Sequence, residues 1–559
     1  MINQGTIAAG TVTVDLNTIL LDETSWWTND SSISIDLPLG KKGREIQCLS
    51  FNNKDDNQAL MIGKPGSGKS NLLHVIILSA ITKYGPADLE IFLIDFKGGV
   101  EFMSYAEYNI PQLRTVALES DREFGLSVID GVDKELMRRE TLFRNSGVQN
   151  IAQYNELNPN QKIPRILFIV DEFQEFFKIE DEIKELVSLK YDNIIRKGRA
   201  FGINSLFSSQ TLDGHSIPRS TKELIDIRIA LMCGDNDVRE IMDDKNLAAK
   251  DLSRPGEAIY NAENGKTNGN QRFQAVFVER SDMNQIISKV ANKSTSGYAT
   301  KDRFIFRGDL FAQITKEKHP INNFENLKFR ALRLWIGEPV SMEPDFYMDI
   351  KQIPSQNLIT VGNNHECAAL FSSIIYSLKK QQNKIHKVFI MNPLTDVDEA
   401  FEDFNKTYGE TDLMTFYKLS QLDELFDDLS DIIEQRKIES KNNGIVVFIL
   451  NSVNKIARLR EDNLECLIDR LYKIIDEGPE LGVHCFLHCD SLISLKRTNL
   501  YSYLSLFNHR ILYNMSQDGF YDIIGYNSIK NLKPNRLIYY SDELGKYQII
   551  KPYELTNNI

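Results

Sequence analysis

Apolar runs in this chain repeatedly stop at a glycine or an acid and give way to helical spacing. Residues 58–63, QALMIG, predict a strand buried on both faces, and residues 70–81, SNLLHVIILSAI, predict a mostly buried helix. EIFLIDFKGG (90–99) predicts another buried strand that ends in Asp95, Lys97 and two glycines. A helix is expected from Ser120, with Glu123 completing a capping box and Phe124, Val128, Val132 and Leu136 at helical spacing. Gly147 closes the segment that follows. RILFIVDEFQEFF (165–177) reads as a strand running into Asp171 and Glu172. IIRKGRAFGINSLFSSQTL (194–212) reads as a basic helix end and a strand, and LIDIRIALMCGDNDVREIMD (224–243) as strand, turn and helix. Ahead of these, residues 31–53 predict a hairpin of two alternating strands around LGKKG. Strands that alternate with helices predict an α/β fold with a parallel, doubly wound sheet.

The second half repeats this order. NLITVGNNHECAALFSSIIYSL (357–378) parallels the strand–glycine–helix unit at 58–81, and GIVVFILNSVNKI (444–456) parallels the strand at 165–177. Residues 471–492, 507–525 and 532–552 parallel the three units that follow. Asp171 and Asn451 are 280 positions apart, and Arg228 and Arg510 are 282 apart. Five units in one order predict an internal duplication.

At 559 residues the chain is long enough for two to four domains, and 42% hydrophobic content is that of a soluble globular protein. No apolar run has the length of a membrane helix and the N-terminus lacks a signal-peptide pattern, so a cytoplasmic protein without a membrane segment of its own is expected. Six cysteines suggest reduced thiols. HCFLHC (484–489) has metal-ligand residue types, but it lies in a strand-like segment and is read as alternating core and surface positions. The net charge of −13 argues against a nucleic-acid surface over the whole molecule. Residues 401–440 hold eleven Asp or Glu against four Lys or Arg, a net of −7, and read as a solvated helical face. A local basic channel elsewhere stays compatible with that balance.

The glycines at 63–68 carry the chemistry. Gly63, Lys64, Pro65, Gly66, Ser67, Gly68, Lys69, Ser70 and Asn71 contain G-x4-G-K-S, the phosphate-binding P-loop. Glycine lets the backbone approach a ligand, and the helix that follows turns its positive end toward an anion. Lys69 would reach the β- and γ-phosphates of ATP and Ser70 would ligate Mg²⁺. Asp171, at the carboxyl end of a parallel strand, would hold Mg²⁺ through water, and Glu172 would act as general base on the attacking water. Aligning Gly362 with Gly63 puts Cys367, Ala368 and Ala369 where Gly68, Lys69 and Ser70 stand, and Asn451 and Ser452 where Asp171 and Glu172 stand. One nucleotide site and one degenerate copy are therefore expected.

With these motifs, and with LPLGKKGREIQCLSF, LIDFKGG, ELMRRETLFRNSGVQNIAQYN, RKGRAFGINSLFSSQ and RPGEAIY in the same order over residues 30–280, the first half resembles the FtsK/SpoIIIE family of RecA-like motor ATPases. LIDFKGG and the tandem arrangement are also similar to the type VII secretion ATPases of the EssC/EccC kind. The resemblance implies a β-rich lead-in (1–57), an ATPase domain (58–300) and a degenerate RecA-like domain (301–559). It implies a hexameric ring in which an arginine reaches the neighbour's γ-phosphate. Arg139, Arg199 and Arg228 are the candidates, each with a structural or surface ion pair as the plainer reading. Gln210 resembles the family's γ-phosphate sensor. A motor on double-stranded DNA, in a defence or mobile-element system, is the expected function. A protein-secretion ATPase and a signalling or scaffold ATPase are the alternatives.

Overall fold

The computed structural model describes residues 14–52, 57–97, 101–212, 222–293, 303–313, 331–343, 346–393, 411–438, 444–459, 467–498, 500–529 and 532–554. Gly98 and Gly99 of the FKGG segment, Cys466 and the start of the acidic stretch lie outside the described residues. The chain divides into two compact units, Met1–Asp309 and Leu310–Ile559.

The first unit contains strands β1 (Ser34–Lys42), β2 (Glu45–Asn52), β3 (Gln58–Ile62), β4 (Leu89–Asp95), β5 (Leu113–Leu118), β6 (Arg165–Asp171), β7 (Ile203–Ser209), β8 (Ile227–Ala230), β9 (Glu257–Asn261), β10 (Gln271–Ala275) and β11 (Phe304–Arg307). They form one sheet in the order β11-β5-β4-β6-β7-β3-β8-β9-β10-β1-β2. From β11 to β8 every pairing is parallel; from β8 to β2 every pairing is antiparallel. The strands β3 to β8 are buried at every residue, as expected where helices cover both faces. The hairpin at 34–52 is the outer edge of this same sheet, and its Leu37, Leu39 and Phe51 share a core with Leu72 and Ile76 of the helix Lys69–Lys83.

The helix expected from Ser120 begins one residue later. Asp121 is its N-cap, and the Ser120 hydroxyl donates to the Asp121 carbonyl. The helix then runs without a break over Arg122–Asn145, and Gly147 beyond it takes a φ of 67°. In the helix Glu182–Phe201, Gly202 ends the last turn at φ 72° before β7 starts.

The second unit contains β12 (Ala331–Trp335), β13 (Gly337–Pro339), β14 (Tyr347–Lys351), β15 (Leu358–Val361), β16 (Ile385–Met391), β17 (Met414–Tyr417), β18 (Ile445–Leu450), β19 (Val483–Cys489), β20 (His509–Leu512), β21 (Leu537–Ser541) and β22 (Lys546–Pro552). β12 and β14 pair separately, and the other nine form the order β13-β22-β21-β20-β15-β19-β18-β16-β17. Read backwards, this order matches β5-β4-β6-β7-β3-β8-β9-β10-β1 strand for strand. Each junction also keeps its sense, parallel from β17 to β20 and antiparallel from β20 to β13. The duplication is thus present in the topology. HCFLHC falls in β19, but all seven residues of that strand are buried, so its histidines and cysteines are interior on both faces and do not alternate with surface positions. No group of metal-ligating side chains is present among the described residues.

Candidate active site

Parallel strands β3, β6 and β7 deliver their carboxyl ends to one crevice. Gly63 leaves β3 with its N–H on the Ser209 carbonyl at the end of β7, and the Lys64 N–H donates to Met232 beyond β8. Lys64, Pro65 and Gly66 form the exposed crest of the loop. Gly68, at φ 95°, stands so close to the RPG turn that a Cβ there would lie 2.8 Å from the Gly256 nitrogen. Gly256 in turn donates its N–H to the Ser67 carbonyl. Glycine is required at 68 by both the left-handed backbone and this approach. No side chain caps the helix that starts at Lys69. Its first N–H groups stay open to an anion, and the helix dipole adds to the attraction.

Lys69, Asp171 and Glu172 form a buried cluster. The Lys69 ammonium donates to the Asp171 carboxylate and lies 3.2 Å from Glu172 Oε1. Burial pushes the Lys69 ammonium down, but the two carboxylates beside it carry it above its ordinary value. Ser208 also donates to Asp171. Glu172 Oε2 accepts from Gln174 Nε2 at 2.6 Å and from the Gln210 N–H at 3.4 Å. Gln210 therefore sits beside Glu172, and its side-chain oxygen accepts from Lys97 Nζ at 3.0 Å.

Asp95 and Lys97, read at first as a strand end, join the same cluster. Asp95 pairs in register with Asp171 across β4 and β6. Burial, only partly offset by the Lys97 N–H, and then the charge of Asp171 push the Asp95 carboxyl up to about 7. Asp95 Oδ2 and Ser67 Oγ are both buried without a partner. Open helix N–H groups, an ammonium, two hydroxyls and three carboxylates in one crevice fit a nucleoside triphosphate with Mg²⁺, and the two orphaned oxygens are groups such a ligand would satisfy.

Three expected site residues serve the fold. Asn71 is turned away from the loop: its Nδ2 donates to the Val276 carbonyl and its Oδ1 accepts from the Val278 N–H, which ties the helix to the strand edge. Arg139 is fully buried and donates to Glu135 and to the Pro164 and Phe201 carbonyls, at the end of the sheet opposite the loop. Arg228, in β8, donates to the Lys222, Ile225 and Ile241 carbonyls. An arginine serving a neighbouring subunit must project from the surface, and these two do not. Arg199 is exposed, on the last turn of its helix ahead of β7.

The copy in the second unit is closed. Tyr513 stands where Leu231 stands in the first unit, and a Cβ on Gly362 would lie 2.5 Å from its ring. The Tyr513 hydroxyl donates to the Glu366 carbonyl. The helix Asn364–Lys380 is capped by the Asn363 side chain on the Glu366 N–H, so one of the N–H groups of its first turn is already taken. Asn451 donates to Asn392, and His488, at the position of Ser208, bonds the Gly362 carbonyl and the Ser452 N–H. No lysine or carboxylate takes the places of Lys69, Asp171 and Glu172.

The FtsK/SpoIIIE family model matches residues 18–264. The ESX secretion system protein EccC of Geobacillus thermodenitrificans is 31% identical over 252 residues, 43% of this chain and 16% of that protein. The DNA translocase SftA of Bacillus subtilis is 28% identical over 255 residues, 44% of this chain and 25% of SftA. The matched part is thus a quarter or less of either relative's length. Among solved structures, the cytoplasmic domain of the Thermomonospora curvata type VII secretion ATPase EccC superposes with a TM-score of 0.65 at 16% identity, over 97% of this chain and 67% of that one. No described helix is long and apolar enough to cross a membrane. The first unit carries a P-loop ATPase domain of the FtsK/SpoIIIE family.

Proposed function

We propose that the chain is an ATP-driven motor of the type VII secretion class, acting on a protein substrate, with the chemistry in the first unit and a nucleotide-free copy in the second. The observation that carries this reading is the tandem: a P-loop unit followed by a topological copy whose loop is filled by Tyr513. The sequence alignments with EccC and with SftA cover about the same share, 43% and 44% of the chain, and the fold of both units is like that of the EccC cytoplasmic domain. The overall charge of −13 also speaks for a protein substrate over a polyanion.

In this reading the loop N–H groups and Lys69 hold the phosphates, and Ser70 and Asp171 hold Mg²⁺. Bound Mg²⁺ would neutralise charge on the β- and γ-phosphate oxygens. Lys69 must leave Asp171 and Glu172 to meet the phosphates, so nucleotide entry frees both carboxylates. Glu172, held by Gln174 and the Gln210 N–H, accepts a proton from the attacking water. Gln210, with Lys97 beside it, senses the γ-phosphate. A hexameric ring would supply the remaining cation in trans, and Arg199 is the exposed candidate.

Translocation of double-stranded DNA is the second reading. It is supported by the similarity to SftA and by the exposed Arg196, Lys197 and Arg199 on one helix end. ATPase rate and duplex binding of the full chain, measured at about 50 mM and 200 mM salt with its oligomeric state known, separate the two. The secretion reading expects no stimulation by duplex DNA. Binding that falls steeply with salt and accelerates turnover would overturn it in favour of the DNA motor.

A further inference from the structure

The loop that carries Gln210 is anchored by a helix from the far side of the P-loop strand. Asp237 lies in the first turn of the short helix Asp235–Ile241, which follows β8, and it is buried. Its Oδ1 accepts from the Thr211 hydroxyl at 2.9 Å and from the Leu212 N–H at 2.8 Å. On the other side of Gln210, the Ser209 carbonyl accepts from the Gly63 N–H, and the Ser209 hydroxyl donates to the Thr211 carbonyl. Gln210 is thus held through both neighbours, by the P-loop before it and by Asp237 after it. Because β3 lies between β7 and β8, the two bonds to Asp237 bridge the strand that leads into the P-loop. The same connection after β8 holds the loop crest, through the Met232 carbonyl and the Lys64 N–H.

The second unit has the matching strands without this bridge. Gly519 stands at the position of Asp237, by the interval of 282 that relates Arg228 to Arg510. Its N–H is taken by the Ser516 hydroxyl, which caps the helix Gln517–Ile524, whereas Gly234, at the position of Ser516, makes no side-chain cap. Asp490, at the position of Gln210, is held by Asn454 and Lys455 from the turn after β18 and by Ser494 from the helix that follows it. Burying a carboxylate is costly, and the matching strand order shows that the fold does not require one here. We propose that Asp237 is a positioning residue for γ-phosphate recognition: it fixes residues 209–212 so that Gln210 keeps one place beside Glu172. The proposal rests on the reading of Gln210 as the γ-phosphate sensor. It adds to that reading an anchor that neither β6 nor β7 supplies.

The test compares binding of a fluorescent ADP and of the matching non-hydrolysable ATP analogue to the full chain, both with Mg²⁺, alongside turnover. In Asp237→Ala, ADP affinity should stay within about twofold of wild type, the preference for the triphosphate should fall several-fold, and kcat should fall about 10- to 100-fold. A merely structural role would move both affinities together. Asp237→Asn should keep most of the preference, because its amide oxygen still accepts the two bonds. Thr211→Val, which removes one donor at nearly constant volume, should lower the preference in the same direction, and it decides the matter if Asp237→Ala does not fold. Gln210→Ala should lower it too, and adding Asp237→Ala to that variant should cost nothing more, since both act through one contact. An unchanged preference in Asp237→Ala and Thr211→Val, or an additive loss in the double variant, would overturn the proposal. An unchanged preference in Gln210→Ala would instead overturn the sensor role on which the proposal rests.

Discussion

Glu172 and Ser452 share a left-handed backbone, with φ of 54° and 46°, just beyond corresponding strands of the two units. A short 3₁₀ turn follows each, Phe173–Phe177 and Val453–Lys455. Such a conformation costs a non-glycine residue on the order of 1 kcal/mol. The second unit keeps it without any carboxylate, so the bend belongs to the fold and the acid is separable from it.

Glu172→Gln should therefore fold and bind nucleotide as wild type does, with turnover lower by about 10²- to 10⁴-fold. Steady-state ATPase assays and a nucleotide titration on the same preparation check this. Turnover within threefold of wild type would remove Glu172 from the general-base role.

Lys69→Ala should abolish nucleotide binding and weaken the ligand-free fold. The change leaves Asp171 and Glu172 buried and facing each other without their cation, a loss of about 3–5 kcal/mol. The folded ammonium lies above its unfolded value, so the titration of Lys69 costs the pair nothing below about pH 10 and removes its contribution only as pH rises above that. The gap in unfolding midpoint between wild type and variant should hold through neutral pH and narrow in acid, where the orphaned carboxylates take up protons. Urea unfolding at pH 7.5 and pH 5 measures it.

Calorimetric titration with Mg-ATP should give one site per chain, and none in Lys69→Ala. Tyr513 fills the second loop, and the Asn363 cap takes the N–H at 366 that a phosphate would need. A second site that survives Lys69→Ala would mean that the tyrosine swings out.

Much of this was legible in the chain. Glycine spacing, the strand ending in Asp171 and Glu172, and the repeat at intervals of 280 and 282 pointed to the candidate site and to the topological copy, because backbone needs and periodicity leave local signatures. What stayed hidden depends on contacts far apart in the sequence. Asn71 sits in the P-loop register, yet its side chain faces a strand edge about 200 residues on. The burial of HCFLHC depends on β19 lying between β15 and β18, which no alternation within the segment reports.

Mild acid should weaken the second unit. Burial, with a smaller opposing hydrogen bond donated to the Gln356 carbonyl, holds the His484 imidazole down to about 4, and burial followed by the charges of His484 and Lys351 holds His509 down to about 3. The unfolded chain takes up these two protons near pH 6.5 and the folded chain does not. The stability is present above pH 6.5 and is lost as pH falls toward 4, by up to about 1.4 kcal/mol per unit for each histidine. Trp335 is buried in this unit, so in a Trp26→Phe/Trp27→Phe background its fluorescence reports the second unit. A urea midpoint that does not move between pH 7 and pH 5 would refute the assignment.

Arg139 and Arg228 should behave as parts of the fold. Arg510 shows why: it repeats Arg228 in the second unit, where the proposed function places no nucleotide chemistry. Arg228 Nη1 donates to the carbonyl 13 residues ahead and Nη2 to the one six residues behind, and Arg510 does the same to Ile523 and Leu504. A contact preserved in the silent copy serves packing. Replacing either arginine strips several buried carbonyls of their donors at about 1–3 kcal/mol each. Arg139→Ala and Arg228→Ala should therefore lower the melting temperature by several degrees, with ATP turnover falling only as folded protein is lost. Arg199→Ala should leave the melting temperature unchanged. If Arg199 acts in trans, its loss should also cut turnover in assembled rings, and mixing it with Glu172→Gln chains should restore some activity at mixed interfaces. Near-native stability in Arg228→Ala together with a collapse in turnover would return that residue to the active site.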